Sequence, residues 1–152
     1  ELKWPNDLVV GPAGSQRKLA GILAESVITA DDLVVVVGLG LNITSTGLGA
    51  LGSQAIALDE LGPPPDPLRL LIAVFQAFSE RLAQVERDPT DMWRAYRGLS
   101  ATLGRRVRVV TDGDVVLGIA DGMTEAGALL VRTDEGIVEV LVGDVTALRP
   151  VD

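Results

Sequence analysis

The chain has 152 residues, of which 47% are hydrophobic and 22% charged, with a formal net charge of -8. That balance belongs to a globular protein with ample core material, and its acidity argues against a general binder of phosphate backbones, which needs a basic field. Cysteine and histidine are both absent, which excludes disulfides, thiolate catalysis, Ser-His-Asp triads and Cys- or His-ligated metal within this chain.

No run of about 18 uninterrupted apolar residues predicts a membrane span. No basic segment followed by an apolar stretch predicts a signal peptide, so a cytoplasmic setting is expected. The first residue is Glu1 and strand-like sequence follows at once, which predicts the later part of something longer.

Asp7-Leu8-Val9-Val10 predicts a short strand. Turn chemistry from Gly11 to Arg17 joins it to a strand over residues 18–26, so the two form an antiparallel hairpin. Regular pleating puts Lys18, Ala20, Ile22 and Ala24 on one face and Leu19, Gly21, Leu23 and Glu25 on the other. A mid-strand glycine such as Gly21 implies close approach of another group to the backbone. Asp31-Asp32 turns the chain into Leu33–Val37, apolar throughout and expected to be buried on both faces. Gly38-Leu39-Gly40-Leu41-Asn42 follows.

Thr44 to Gly52 is glycine-rich and predicts a mobile surface loop without regular structure, placed to act as a lid. Asp66-Pro67 is a helix start, with Asp as cap and Pro at the first helical position. Leu68, Leu71, Ile72, Phe75, Phe78, Leu82 and Val85 then recur at helical spacing to about residue 86. Asp88-Pro89 opens a second helix carrying Trp93 and Tyr96 in the same way. Phe75, Phe78, Trp93 and Tyr96 are expected in the core. Beyond residue 102, short strands at 107–110, 115–119, 129–131, 138–142 and 145–148 predict a small closed β-barrel.

Taken singly, the polar residues of the first hairpin leave two readings open. Lys18 is a candidate fixed ammonium or a solvated hairpin lysine. Asn6 and Asp7 suit hydrogen bonding to a nucleotide, or holding Mg2+ through water, and equally suit turn chemistry after proline. The glycines before Asn42 resemble a phosphate-cradling loop in outline but lack its third glycine and its lysine.

Lys3-Trp4-Pro5-Asn6-Asp7, Lys18-Leu19-Ala20-Gly21-Ile22-Leu23-Ala24-Glu25 and Gly38-Leu39-Gly40-Leu41-Asn42 together resemble the biotin protein ligases in order and spacing. The later segments Leu103–Val107, Gly127–Leu130 and Gly143–Arg149 are similar to that family's C-terminal barrel. The resemblance implies an α+β fold: a mixed β-sheet with flanking helices, related to class II aminoacyl-tRNA synthetases and lipoate ligases, followed by an SH3-like barrel. Residues 1–101 would be the C-terminal part of the catalytic domain and 102–152 the barrel domain.

The resemblance also implies the reaction. Biotin and ATP with Mg2+ would give biotinyl-5′-AMP and pyrophosphate, and a lysine of a biotin carboxyl carrier protein domain, from acetyl-CoA carboxylase or a related carboxylase, would take the biotin. Lys18 would be the catalytic charge between the biotin carboxyl and the α-phosphate. Asn6, Asp7, Gly21, Gly40 and Asn42 would line the biotin–adenylate site, with Asp7 the candidate for Mg2+. Arg108 and Arg149 would lie near the ATP phosphates and the domain interface, beside Asp144.

The family's biotin-binding loop precedes the first motif and is not in this sequence, so the chain by itself is expected to be inactive. An exposed sheet edge is expected to favour association, including a homodimer. Neither a membrane nor nucleic acid is an expected partner of this segment. The rival readings are a lipoate–protein ligase-like enzyme and a non-catalytic carrier-docking module.

Overall fold

The computed structural model describes residues 1–30, 32–111 and 113–147. The expected turn residues Asp31 and Asp112, and the end of the last expected strand at Leu148, lie outside the described residues.

Four strands, β1 (Leu2–Lys3), β2 (Asp7–Val10), β3 (Arg17–Ile28) and β4 (Leu33–Leu41), form the first sheet in sequential order. Each neighbouring pair is antiparallel. Parallel character enters through two isolated bridges, Leu2 with Ser100 and Lys18 with Ala55. The expected hairpin is therefore present, and its second strand is longer than the predicted span.

The regular pleat expected along β3 is broken. Leu8 lies opposite Ala20 while the next residue, Val9, lies opposite Lys18, so Leu19 is the extra residue of a β-bulge. Leu19 and Ala20 are consecutive and both buried, which an unbroken pleat would not allow.

The expectation that Leu33–Val37 is buried on both faces is overturned. Val35 and Val36, which point to opposite faces, are 54% and 59% exposed. An all-apolar pattern reports a strand suited to a layered sheet, and no described element covers either face of this one.

Two helices follow, α1 (Pro67–Arg87) and α2 (Pro89–Leu99). Both start as the capping residues dictate: the Asp66 carboxylate accepts from the Arg69 N–H, and that of Asp88 from the Thr90 N–H, each at 2.9 Å. The expected core role of Phe75 and Phe78 is corrected, since they are 62% and 49% exposed. Their helical spacing is real, yet the apolar face of α1 meets no covering layer. Trp93 and Tyr96 are half-buried and meet edge to face at 6.2 Å.

The segment expected to lack regular structure contains a 3-10 turn over Gly49–Ser53, and Leu58–Glu60 forms a second. The Asp59 carboxylate holds the segment by accepting from the Ser45 N–H at 2.9 Å and the Ser45 hydroxyl at 3.1 Å. Short hydrogen-bonded turns can form among glycines when a carboxylate anchors their base, which propensity alone does not foresee.

The second sheet comprises β5 (Arg106–Val110), β6 (Val115–Met123), β7 (Leu129–Thr133), β8 (Gly136–Val140) and β9 (Asp144–Ala147), ordered β8-β7-β6-β5-β9. Among the described residues no ladder joins β8 to β9. The sheet nonetheless curls on itself, because Val140 and Val145 from its two edge strands share a core with Val107, Val109, Leu129 and Val131. The alternation of exposed arginines with buried valines along Arg106–Val110 is the pattern of a strand with one face inward.

Trp4, from the turn between β1 and β2, completes that core. Its side chain is 2% exposed and its indole N–H donates to the Gly127 carbonyl at 2.9 Å. Its backbone N–H donates to the Thr102 hydroxyl at 3.0 Å, and the Ala101 N–H to the Leu2 carbonyl at 2.8 Å. The first turn of the chain is thus clamped into the second sheet.

Trp4→Ala is expected to cost about 3–5 kcal/mol in urea denaturation, the usual loss for a deeply buried tryptophan. Trp4→Phe, which keeps most of the volume but loses the indole N–H bond, should cost about 1–2 kcal/mol. Equal stability of the alanine variant and the parent would show that the indole does not hold the two sheets together.

Candidate active site

Three cross-strand partners lie in one row across the first sheet: Asp7 on β2, Gly21 on β3 and Gly40 on β4. Two adjacent glycines leave the row beside the Asp7 carboxylate without side chains. The bulge at Leu19 brings Lys18 onto this row, and its stem crosses Gly21 so that Nζ reaches Asp7 Oδ1 at 2.5 Å. Asp7 Oδ1 is buried and has no partner of hydrogen-bonding geometry. The 2.5 Å contact with Lys18 is therefore a close ion pair with poor angles. The Asp7 side chain is largely covered, while Lys18 remains about half exposed and open to a ligand.

This pair borders a cleft of about 710 Å³ between the first sheet, the 3-10 turn and the second sheet. Lys3, Arg17 and Lys18 line it as cations, with Asp7 and Asp144 as carboxylates. Lys3 Nζ lies 3.9 Å from Asp144 Oδ1, an exposed and weak pairing across the two sheets. Arg17 donates to Glu60 at 2.8 Å and to the Ala55 carbonyl at 3.4 Å, which fixes its guanidinium at the rim. That hydrogen bond from Arg17, with one from the Ala57 backbone N–H, holds the Glu60 carboxyl below its ordinary range. Each of the three cations has a carboxylate within 4 Å, Asp144, Glu60 and Asp7 in turn, so charge around the cleft is nearly balanced and only the donors left over can meet an anion.

The other expected residues are placed as follows. Asn6 extends the β2–β3 ladder: its side-chain amide donates to the Ile22 carbonyl at 2.7 Å, and its backbone carbonyl accepts from the Ile22 N–H at 2.8 Å. Asn42 uses its amide nitrogen on the Lys18 and Ile56 carbonyls, at 3.2 and 3.1 Å, and so stitches the start of β3 to the segment after the 3-10 turn. Arg108 is exposed on β5 opposite Thr146, a residue of the cleft wall, without lining the cleft itself. Arg149 lies outside the described residues.

Arg17 lines the cleft, although its place in the sequence predicts turn chemistry only. Its adjacency to Lys18 was the available signal, and the long-range partner Glu60 was not. The wall residues Gln54 and Ala55 are equally hidden from local pattern, because they reach the site through the bridge to Lys18. A smaller cavity of about 280 Å³ lies between α2 and the second sheet, walled by Trp93, Tyr96, Leu103 and Met123 among others. The Tyr96 hydroxyl is buried there without a partner, and burial raises its pKa. Among the described residues no group of three or more Asp, Glu, His or Cys is placed to hold a metal ion. No described helix is long and apolar enough to cross a membrane.

Comparison with known proteins places this geometry in a lineage. Residues 1–42 match the family model "Biotin/lipoate A/B protein ligase family", and residues 102–146 match "Biotin protein ligase C terminal domain". The chain is 37% identical over 150 residues to the biotin--[acetyl-CoA-carboxylase] ligase of Mycobacterium tuberculosis, covering 97% of this chain and 53% of that protein. It is 24% identical over 151 residues to the bifunctional ligase/repressor BirA of Bacillus subtilis, covering 95% of this chain and 45% of that protein. Among solved structures, the apo biotin protein ligase of Aquifex aeolicus superposes with a TM-score of 0.79 at 27% identity, over 97% of this chain and 64% of that one. The same ligase in complex with biotin and ATP superposes at 0.75 with 28% identity, over 98% of this chain and 62% of that one. The chain spans about half the length of the curated relatives it matches.

The lowered pKa of Glu60 gives the site a pH signature. A carboxyl whose folded pKa lies below its ordinary 4.5 adds stability that is present above 4.5 and lost as the pH falls through the folded value. The stability gap between the parent and Glu60→Gln should therefore be about the same at pH 7 and pH 5 and shrink as the pH falls below 4.5. A gap that persists at the acidic end would show that the Arg17 pairing is not its source.

Proposed function

Because this chain belongs to the biotin protein ligase family, we propose that it carries the nucleotide-facing wall of a biotin–protein ligase active site. In the whole protein, biotin and ATP would give biotinyl-5′-AMP and pyrophosphate, and a carrier-domain lysine would then displace AMP. The observation that carries this reading is the Lys18 ammonium fixed against Asp7 beside a cleft with two further cations.

The chemistry asks for that arrangement. A biotin carboxylate oxygen must attack the α-phosphorus while the bond to the pyrophosphate oxygen breaks, and the two anions repel. An ammonium held between them offsets the repulsion and stabilises the charge that builds on phosphorus. Lys18 is about half exposed and its ammonium is held by Asp7, so it can meet both groups from a fixed position. Lys3 and Arg17 stand where the phosphates would be received, with Arg108 nearby and Arg149 assigned to the same role. Asp7 lines the cleft, and Asn6, Gly40 and Asn42, which do not line it, are assigned to the adenylate side of the sheet, with Gly21 contributing through the Lys18 stem that lies against it. The turn over residues 49–53, whose Leu51 and Ser53 line the cleft, is assigned as the segment that closes water out.

Mg2+ fits this site as an ion carried by phosphates. Among the described residues no group of three or more acidic or ligating side chains is placed to hold it, and Asp7 Oδ1 is already paired with Lys18 at 2.5 Å, so the phosphates would supply most of its oxygens and Asp7 a single contact through water. Asp7 would hold it in that way, and the bound ion would neutralise phosphate charge. We assign residues 1–101 to the catalytic part and 102–152 to the barrel domain. The acceptor is a biotin carboxyl carrier domain of acetyl-CoA carboxylase or a related carboxylase. This chain alone should not turn over, because the relatives it matches are about twice its length.

In the full-length protein, pyrophosphate release should require biotin and ATP together, should not be supported by lipoate, and should stop with EDTA and recover with Mg2+. Lys18→Ala should lower the adenylation rate by about 10²-fold or more with the fold unchanged by circular dichroism. Equal turnover with lipoate would favour the lipoate ligase reading. An unchanged rate for Lys18→Ala would make Lys18 a solvated surface residue.

A further inference from the structure

We infer that Gly21 is a positioning residue for the Lys18 ammonium, acting through the space left by its missing side chain. The inference deepens the proposed role of Lys18 and rests on it, but its geometry stands separately. On a regular strand Lys18 and Gly21 would point to opposite faces. The bulge at Leu19 removes that alternation and sends the lysine stem over the glycine. A Cβ at Gly21 would lie 3.0 Å from both Cε and Nζ of Lys18, and 3.6 Å from Asp7 Oδ1. The end of the stem therefore crowds the place a methyl group would take.

The backbone gives no other reason for glycine here. Gly21 is not among the positive-φ glycines, so an L-residue fits its conformation without strain. Its strand partner Gly40 differs, since a Cβ there would come no closer than 3.9 Å, to the Gly21 carbonyl. Gly21 is thus the glycine of the row whose empty space is filled, and what fills it is the lysine. An added methyl must push the flexible end of Lys18 aside by a few tenths of an ångström, which disturbs its 2.5 Å contact with Asp7. Displacements of this size at a reacting charge are costly to rate.

The test uses the full-length protein, with a double-mutant cycle. Gly21→Ala should fold normally and lower kcat for pyrophosphate release about tenfold or more, with KM for biotin within about twofold. In a Lys18→Ala background the same change should cost nothing further, because the methyl then meets no ammonium. If Gly21→Ala weakens the fold instead, Lys18→Ala should restore it for the same reason. A second readout needs no turnover: competitive acetylation of Lys18, followed by mass spectrometry, should rise several-fold in Gly21→Ala toward the level of Asp7→Asn.

A full loss from Gly21→Ala in the Lys18→Ala background would mean that the glycine meets substrate directly, and would overturn the inference. Unchanged kcat and unchanged labelling in Gly21→Ala would overturn it as well. An unaffected Lys18→Ala single variant would instead remove the proposed catalytic role of the lysine, and the labelling experiment would still decide the geometry.

Discussion

Burial of the Trp4 indole in the core of the second sheet is the contact on which the rest depends. The residue sits in the turn between the first two strands, three positions before Asp7, so whatever fixes the indole also fixes the carboxylate. A tryptophan buries on the order of 150–250 Å², and its N–H finds a carbonyl at 2.9 Å, so the burial leaves no polar group unsatisfied. Through it the cleft acquires two walls, one from each sheet, with Lys3 and Asp144 facing across the gap. The barrel is therefore part of the site's scaffold.

Against that fixed frame, the charged groups are held by short-range geometry. The bulge turns Lys18 toward Asp7, two glycines leave the row open, and the Asn42 amide ties the backbone of Lys18 to the chain after the 3-10 turn. Arg17 is fixed by Glu60 from a distant part of the chain. Arg17 and Lys18 are paired closely with carboxylates, at 2.8 and 2.5 Å, while Lys3 meets Asp144 only weakly at 3.9 Å, so every cation of the cleft has a carboxylate within 4 Å.

The distal halves of β3 and β4 and the apolar face of α1 stand apart from this frame. Apolar runs such as Leu33–Val37, and a helix stripe containing Phe75 and Phe78, have the patterning of buried elements, yet they are about half exposed. Contiguous apolar surface of this extent is characteristic of faces that receive another layer. The chain spans about half of its curated relatives, and these bare faces lie away from the cleft, so the cleft's own packing does not depend on them.

Much of the architecture was legible locally. Asp-Pro pairs started both helices where expected, alternation marked the barrel strands to within a few residues, and turn residues placed the first hairpin. The motifs around Lys18, Gly21 and Asn42 carried the family, because their order and spacing are one-dimensional information. What sequence could not supply were facts of distance and register. A bulge depends on how two strands pair, so Lys18 was assigned to the wrong side of Gly21. Arg17 found Glu60, and Trp4 found a core beginning about a hundred residues later, through contacts between segments that no local pattern links. Periodicity reports which face an element can bury; whether anything lies against that face is decided only when the chain has folded, as the exposed valines of β4 demonstrate. Sequence by itself determined the elements and the chemistry available to them, and tertiary structure decided which of those groups meet, because meeting is a matter of register and packing across distant parts of the chain.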